Sequence, residues 1–172
     1  MSGSFAIATT VLHFQKQIMK SFLTLAFALF IPLFLAAQCR EVPLGTLQVM
    51  AKSSAEERNA KIIKEGFDLA AEKESAEGNG TIRTYRKCWN QDEEGNTVFR
   101  QLMVSRSNVN DITFLTLDEA TFTALKTEID KRHNTGGNKA VVEGKKFRYS
   151  FDTQDANGLK YYAVIVTLKS KL

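Results

Sequence analysis

An uncharged apolar run near the amino terminus separates the part of this chain that can build a folded domain from the part that precedes it. Lys20 stands in front of the run, which covers residues 21–37 and ends in two alanines. A cation, an apolar stretch of about 16 residues and small residues at its end are typical of a secretory signal peptide. The stretch is shorter than the roughly 20 residues of a membrane-spanning helix. We therefore predict that residues 1–37 are a leader and that the mature protein begins near Gln38.

Residues 38–172 are expected to form one domain. Removing 37 of the 172 residues leaves about 135, a length that suits a single compact domain with its own core. Met19 is the expected initiator because Met19-Lys20 makes a better start for a signal peptide than residues 1–18 do. The export signal predicts a periplasmic or secreted protein whose membrane contact is limited to the signal peptide, or to a lipid on Cys39.

The charge of the predicted mature domain is nearly balanced. The chain has 23 Lys and Arg and 19 Asp and Glu residues, and Lys16 and Lys20 lie in the leader, so 21 basic residues stand against 19 acidic ones. A net charge of +2 with interspersed signs is typical of an ordinary soluble surface. The composition therefore predicts no nucleic-acid partner.

The two cysteines leave three alternatives open. In an oxidising compartment Cys39 and Cys88 can form a disulfide, which would stabilise the domain by roughly 4 kcal/mol in the chain-entropy model. Alternatively, Cys39 carries a lipid, although Gln38 stands where lipoprotein signals prefer Gly, Ala or Ser. In the third alternative both thiols are free. The disulfide is the alternative that we predict.

The first half of the domain is expected to contain one helix. Residues 40–51 are predicted to be an entry segment with a short edge strand at 47–50. Ser54 and Glu57 then form a capping-box pattern that marks a helix start. Three apolar residues follow at helical spacing: Ala60, Ile63 and Phe67. Gly66 predicts the end of this helix, with residues 67–74 continuing as a strand.

The rest of the chain is mostly β in pattern. Three runs rich in β-branched and aromatic residues predict an antiparallel meander: Thr81–Trp89, Thr97–Ser105 and Ile112–Leu117. A second capping box, Thr116 to Glu119, predicts a helix with three residues on its apolar face: Phe122, Leu125 and Ile129. Cations occupy the last turn of that helix: Lys131, Arg132 and His133. Two final strands are expected, Lys139–Thr153 and Leu159–Leu168, and the last is apolar on both faces, which indicates a central strand.

These elements predict the fold class. We expect an α+β domain with an antiparallel sheet of five to six strands and two helices packed on it, in the order α-β-β-β-(β)-α-β-β. Nothing in the sequence indicates a repeat, a linker or a low-complexity stretch.

The residue types that usually carry catalysis are sparse. His133 is the one histidine after the leader, and its place beside two cations at a helix end favours a cap-region residue. The acidic residues cluster at two predicted helix starts and in one predicted turn: Glu56-Glu57, Asp118-Glu119 and Asp92-Glu93-Glu94. No Cys-x-x-Cys, Gly-x-Ser-x-Gly or phosphate-binding loop pattern occurs, so we predict no metal, no cofactor and no catalytic residues.

One surface is a candidate for recognition. Cations alternate with aromatic residues along the first strand of the meander, and another arginine follows on the second; the candidate set is Arg83, Tyr85, Lys87, Trp89 and Arg100. Arginines beside aromatic rings can hold a sugar, an anionic polymer or the acidic loop of a partner. The alternative is an ordinary solvent face, with the Trp89 ring belonging to the core.

Two classes of function follow from these patterns. The first is a non-catalytic binding or accessory protein of the bacterial cell envelope, whose partner is another envelope or secreted protein, or a glycan. The second is a small hydrolase that works through carboxylates, which requires two carboxylates within about 10 Å in one concave pocket. An inhibitor or immunity-type protein is a further alternative and would present one flat, partly apolar patch.

Overall fold

The computed structural model describes residues 40–169, apart from residues 77, 79, 92, 93, 138 and 157. The chain divides into two units, Met1–Arg40 and Glu41–Leu172, and the fold is that of the second unit. The predicted leader and Cys39 lie outside the described residues, so the export signal and the Cys39–Cys88 disulfide stay predictions. None of the described helices is both long enough and apolar enough to cross a membrane.

The first element is a helix, α1 (Leu44–Lys52), and the predicted entry segment with a strand at 47–50 is wrong. Leu44, Leu47 and Met50 are buried and recur every three residues, which is the period of a helix and not of a strand. Pro43 begins the helix, since its carbonyl oxygen accepts the N–H of Thr46 at 3.0 Å. The missed signal was this short apolar period behind a proline.

The second helix, α2 (Ala55–Lys64), begins as predicted. The Ser54 side chain accepts the N–H of Glu57, and the Glu57 carboxylate accepts the N–H of Ser54, so the capping box is confirmed. Gly66 has a φ of 87°, in the left-handed region that favours glycine, and the helix ends before it. The predicted break at Gly66 is therefore confirmed.

Of the three apolar residues predicted at helical spacing along α2, Phe67, which follows the helix, is buried in the core, but the other two are not. Ala60 is exposed and Ile63 is 59% exposed, whereas Arg58 and Ile62 are the buried residues of this helix. Sequence spacing alone favoured the apolar Ile63. In the structure the Arg58 side chain instead points into the interior and donates hydrogen bonds to backbone carbonyl groups.

The sheet has seven antiparallel strands within the described residues, one or two more than predicted, and there are three helices where two were predicted. The strands are β1 (Asp68–Glu74), β2 (Thr81–Gln91), β3 (Thr97–Arg106), β4 (Asp111–Thr116), β5 (Val141–Glu143), β6 (Phe147–Ala156) and β7 (Leu159–Leu168). Their order in the sheet is β1-β2-β3-β4-β7-β6-β5. The α+β class, the meander and the central position of the last strand are confirmed.

The extra strand at the β5 edge of the sheet arises because a turn that was not predicted divides one predicted strand in two. The predicted strand Lys139–Thr153 is divided into β5 and β6 by residues 144–146, where the N–H of Gly144 donates to the carbonyl oxygen of Phe147 at 2.8 Å. Gly144 is buried under His133, so a Cβ at this position would come within 2.7 Å of the imidazole Cε1. This glycine therefore marks a close approach of the turn to the helix that precedes it.

The third helix, α3 (Glu119–His133), has its N-cap at Asp118 and not, as the predicted capping box required, at Thr116. Asp118 is the N-cap, and its carboxylate accepts the N–H of Ala120 at 3.0 Å and the hydroxyl of Thr121 at 2.8 Å. Thr116 instead accepts the N–H of Asp118 at 3.1 Å. The cations predicted for the last turn are confirmed.

We expect Asp118→Ala to lower the free energy of unfolding by about 1 kcal/mol, the usual cost of losing an N-cap side chain. The hydrogen bond from Thr121, with that from the Ala120 N–H, lowers the pKa of the Asp118 carboxyl. Its stabilising effect should therefore be complete above about pH 4 and disappear as the pH falls through the lowered pKa. Urea titrations at pH 7 and pH 3 measure both effects.

Glu119→Ala is the matched control, because Glu119 lies in the same turn without being the N-cap. A cost at pH 7 as large for Glu119→Ala as for Asp118→Ala would contradict the assignment of the cap.

All three helices contribute to one hydrophobic core on one face of the sheet. Leu47 of α1, Ile62 of α2 and Leu125 of α3 belong to this core together with alternate residues of the strands. The strand residues of the core are Tyr85, Met103, Ile112, Phe114, Val142, Phe147, Tyr149, Val164 and Val166. The helices thus define an inner face of the sheet, and the opposite face carries a separate, smaller cluster.

Candidate functional site

The predicted recognition face on β2 is divided by the fold, because Tyr85 belongs to the core. Its side chain is 1% exposed and packs among residues of the inner face. Burial raises the pKa of the Tyr85 hydroxyl, as expected for a phenol removed from water. Met103 of β3 lies directly opposite it. Tyr85 therefore supports the sheet beneath the helices and is not accessible to a ligand.

Arg83 is held by the neighbouring edge strand. Its Nε donates to Oε2 of Glu72 on β1 at 2.7 Å, and the two residues are direct cross-strand partners. The hydrogen bond from Arg83 lowers the pKa of the Glu72 carboxyl. This cation therefore contributes to pairing between β1 and β2, as opposite charges do when they face each other across two strands.

Lys87 is also occupied by contacts within the domain. Its Nζ donates to the carbonyl oxygen of Glu65 at 2.8 Å and lies 5.3 Å from the centre of the Phe67 ring. Lys87 thus ties β2 to the turn that follows α2, where an unpaired carbonyl at a helix end needs a donor. Of the three residues that precede Trp89 in the predicted set, each is engaged within the fold.

Trp89 is different, since 60% of its surface is exposed, and the alternative that placed its ring in the core is wrong. Its cross-strand partner on β3 is Phe99, which is half-buried. The guanidinium carbon of Arg86 lies over the Phe99 ring, 4.6 Å from its centre. Arg100, the last predicted residue, follows Phe99 and is exposed. We call Arg86, Trp89, Phe99 and Arg100 the hairpin surface.

Sequence reasoning missed Arg86 and Phe99. Their part in the surface depends on the register of β2 and β3, in which Trp89 pairs with Phe99. The intervening loop leaves that register open, and a shift of one residue would send the side chains of β3 to the opposite face. No pattern in the sequence predicts this register.

The backbone immediately before Trp89 is unusual. Cys88 is buried and has a φ of 60°, a left-handed conformation inside a strand. For a residue other than glycine this conformation costs on the order of 1–3 kcal/mol and is concentrated at sites of function. The strain lies next to the most exposed aromatic ring of the described residues.

Neither a hollow along α3 nor a cleft between α3 and β6 brings a close pair of carboxylates together among its described lining residues. A hollow of about 740 Å³ along α3 includes Glu119 and Glu128 in its lining. These residues are nine positions apart on one helix, which separates them by about 13 Å along its axis. Glycoside hydrolysis uses carboxylates roughly 5–10 Å apart. A second cleft, of about 320 Å³ between α3 and β6, has one carboxylate, Asp152, in its described lining.

Metal chemistry has no evident place among the described residues, which contain no group of three or more His, Cys, Asp or Glu side chains able to hold an ion. Comparison of the chain with models of protein families, with curated proteins and with solved structures finds no match. The hairpin surface is therefore the feature of the described residues with the clearest chemistry of recognition.

Proposed function

We propose that this protein is an exported, non-catalytic binding protein that uses its hairpin surface to hold an acidic segment of another envelope or secreted protein. The observation that carries the proposal is the exposure of Trp89 beside a phenylalanine ring on which an arginine lies. Tryptophan and arginine are the residues most enriched among those that dominate binding energy at protein interfaces.

The charge of the hairpin surface supports an acidic partner. Arg86 and Arg100 are both exposed on the paired strands β2 and β3. An arginine that rests on an aromatic ring keeps the N–H groups at its edge available for a carboxylate. A peptide with an acidic residue next to an apolar one would therefore meet both Arg86 and the indole ring.

The test is selection of binding peptides from a random displayed library against the purified protein. We expect the selected peptides to be enriched in Asp and Glu, with affinity that falls as salt is added. Trp89→Ala should weaken binding of the selected peptides by about 30-fold or more, since residues of this kind contribute 2 kcal/mol or more. The melting temperature should change little because most of the ring is exposed.

Lys131→Ala on α3 is the matched control, because Lys131 is an exposed cation far along the chain from the hairpin. It should leave peptide affinity unchanged. Selected peptides without acidic enrichment, or peptides that bind Trp89→Ala as well as the unaltered protein, would contradict the proposal.

A further inference from the structure

The face of the sheet opposite the helices is largely apolar. Its cluster contains Leu115, Tyr161 and Ala163, with Leu102, Val104, Leu117 and Leu159 packed against them, and none of these residues belongs to a helix. Val104, Thr113 and Ile165 on the same face are half-buried. We call this the open face. Leu115, Tyr161 and Ala163 are themselves at most 6% exposed, so the accessible apolar part of this face consists of the half-buried side chains around them.

The strand register arranges the side chains of the open face in rows that cross the sheet. One row consists, in order, of Arg86, Leu102, Leu115, Ala163 and Asp152. The next row consists of Thr84, Val104, Thr113, Ile165 and Ser150. Each row is apolar or uncharged at its centre, and the first row has an arginine at one end and an aspartate at the other.

The centre of both rows lies on β4, which is the fourth of the seven strands. Two copies can pack with their open faces together, related by a two-fold axis parallel to β4. Each residue of a row would then lie opposite the residue of the second copy that is equally far from β4 on the other side. Leu102 would then face Ala163 of the second copy, and Val104 would face Ile165 of the second copy. Val104 and Ile165 keep accessible surface for such a contact, whereas Ala163 and Leu115, the residue at the axis, are 0% and 5% exposed and contribute little to it.

The charges at the ends of the first row are complementary under the same operation. Arg86 would face Asp152 of the second copy, and the symmetry repeats this pair, as a two-fold interface requires. Both side chains are exposed, and neither forms an ion pair with another described residue. Asp68 lies across from Arg86 on β1, but the Arg86 guanidinium rests on Phe99.

A second charge pair lies at the outer strands. Lys73 on β1 and Glu143 on β5 are at opposite edges of the sheet, and both side chains are exposed. Glu143 also pairs within its own chain with Arg148 at 3.3 Å and with Lys169 at 3.2 Å. Lys73 pairs with Ile82, and Glu143 pairs with Arg148, at equivalent positions of their rows. The two-fold axis along β4 would bring Lys73 of one copy opposite Glu143 of the second. The apolar centre would thus be bordered by complementary charges, which is the usual anatomy of an interface.

The geometry of sheet packing permits these contacts. Aligned sheets pack about 10 Å apart with their strands rotated by about 30°. Arg86 and Asp152 are each two strands from β4, about 10 Å from the axis. A rotation of that size displaces the ends of the row by about 5 Å, which the long side chain of arginine can span.

We infer that a second copy of this chain covers the open face, and that the protein is a two-fold symmetric dimer with its helices outward. The argument depends on the order and register of the strands and on the charges at the row ends. Arg86 belongs to both surfaces, but Trp89 lies outside the rows and Asp152 lies outside the hairpin surface. Trp89→Ala therefore tests recognition of an acidic segment without altering a dimer contact, and Asp152→Arg tests the dimer without altering the hairpin surface.

The test uses charge reversal and measures mass by light scattering and sedimentation. The unaltered protein should be a dimer. Arg86→Asp places two aspartates opposite each other at each end of the row, and Asp152→Arg does the same with arginines. Each single variant should raise the dissociation constant by about 100-fold or more, as like charges at an interface oppose association.

Mixing the two single variants should restore a dimer. In a mixed pair, Asp at position 86 of one copy meets Arg at position 152 of the other, and the native Asp152 and Arg86 meet at the second end. The double variant Arg86→Asp with Asp152→Arg should also dimerise. Arg132→Asp, an exposed arginine of α3, is the control and should leave the dimer intact.

Three results would overturn the inference. The first is that the unaltered protein is monomeric at concentrations of about 100 µM, where an obligate dimer would persist; in that case a second copy does not cover the open face. The second is that both single variants dimerise as strongly as the unaltered protein, which would assign the dimer to another surface. The third is that the mixed single variants stay monomeric although circular dichroism shows that both are folded.

Discussion

Replacing Arg58 by alanine is expected to lower the free energy of unfolding by about 4 kcal/mol, a loss that few single substitutions reach. The Arg58 side chain is 1% exposed. Its Nη1 donates to the carbonyl oxygens of Arg106, Val109 and Asp111 at 2.8–3.0 Å, and its Nη2 donates to that of Ser53 at 3.2 Å. One guanidinium thus satisfies four carbonyl groups in two segments of the chain.

The size of this effect follows from what alanine would leave behind. Each carbonyl group that loses its donor in a buried place costs about 1–3 kcal/mol, and truncation of the long side chain opens a cavity beside the core. Burial lowers the pKa of the Arg58 guanidinium, with the carboxylate of Asp111 acting in the opposite direction. An arginine nevertheless remains a cation at pH 7.

Chemical denaturation measures the prediction. Arg58→Met keeps most of the aliphatic volume without the donors, and we expect it to remain clearly destabilised. Arg58→Lys keeps the charge with a single nitrogen, and it should fall between the two. Arg132→Ala is the control, since the Arg132 side chain is about half exposed on α3 and forms its ion pair with Glu128 in the preceding turn. A loss below about 1 kcal/mol for Arg58→Ala would contradict the assigned role.

Tyr85→Ala is expected to lower the free energy of unfolding by about 4 kcal/mol as well, because truncation of a buried aromatic side chain typically costs 3–5 kcal/mol. The ring is among the largest fully buried side chains of the described residues. Tyr85→Phe keeps the ring and should cost less than about 1.5 kcal/mol, the typical contribution of a hydroxyl group. The comparison separates packing of the ring from any contact made by its oxygen.

This substitution also decides between two roles for Tyr85, which the sequence placed among the ligand-binding residues. If Tyr85→Ala left stability unchanged and abolished binding of the peptides selected against the hairpin surface, the ring would be a ligand contact. Loss of stability in Tyr85→Ala, together with full stability in Trp89→Ala, assigns the first ring to the core and the second to the surface.

Local patterns in the sequence were sufficient for the elements that local chemistry controls. The capping box at Ser54 and the glycine at 66 act within one helical turn, and both were predicted correctly. The meander was recognisable because its strands are rich in β-branched residues and are separated by turn residues. The α+β class follows from these elements alone.

What sequence reasoning missed depends on contacts between distant segments. Arg58 looks like a surface cation until its partners more than 45 residues away are known. Helix α1 was missed because nine residues give a weak helical period, and its burial against β4 and β7 is tertiary. The hairpin surface could be named only in part, because Arg86 and Phe99 join it through a register that the sequence does not encode locally.

The order of strands in the sheet has a consequence for how the chain folds. Strands β1 to β4 form one run of neighbouring hairpins and strands β5 to β7 form another, and in the described sheet the two runs are paired only through β4 and β7. Each run can form early, since loops between consecutive strands are short and close quickly. The pairing of β4 with β7 instead joins Asp111 to Thr167, which are separated along the chain by α3, β5 and β6. Such non-local pairing slows folding, so we expect the two runs to assemble first and the pairing of β4 with β7 to form last, with the inner faces of β4 and β7 exposed until it does.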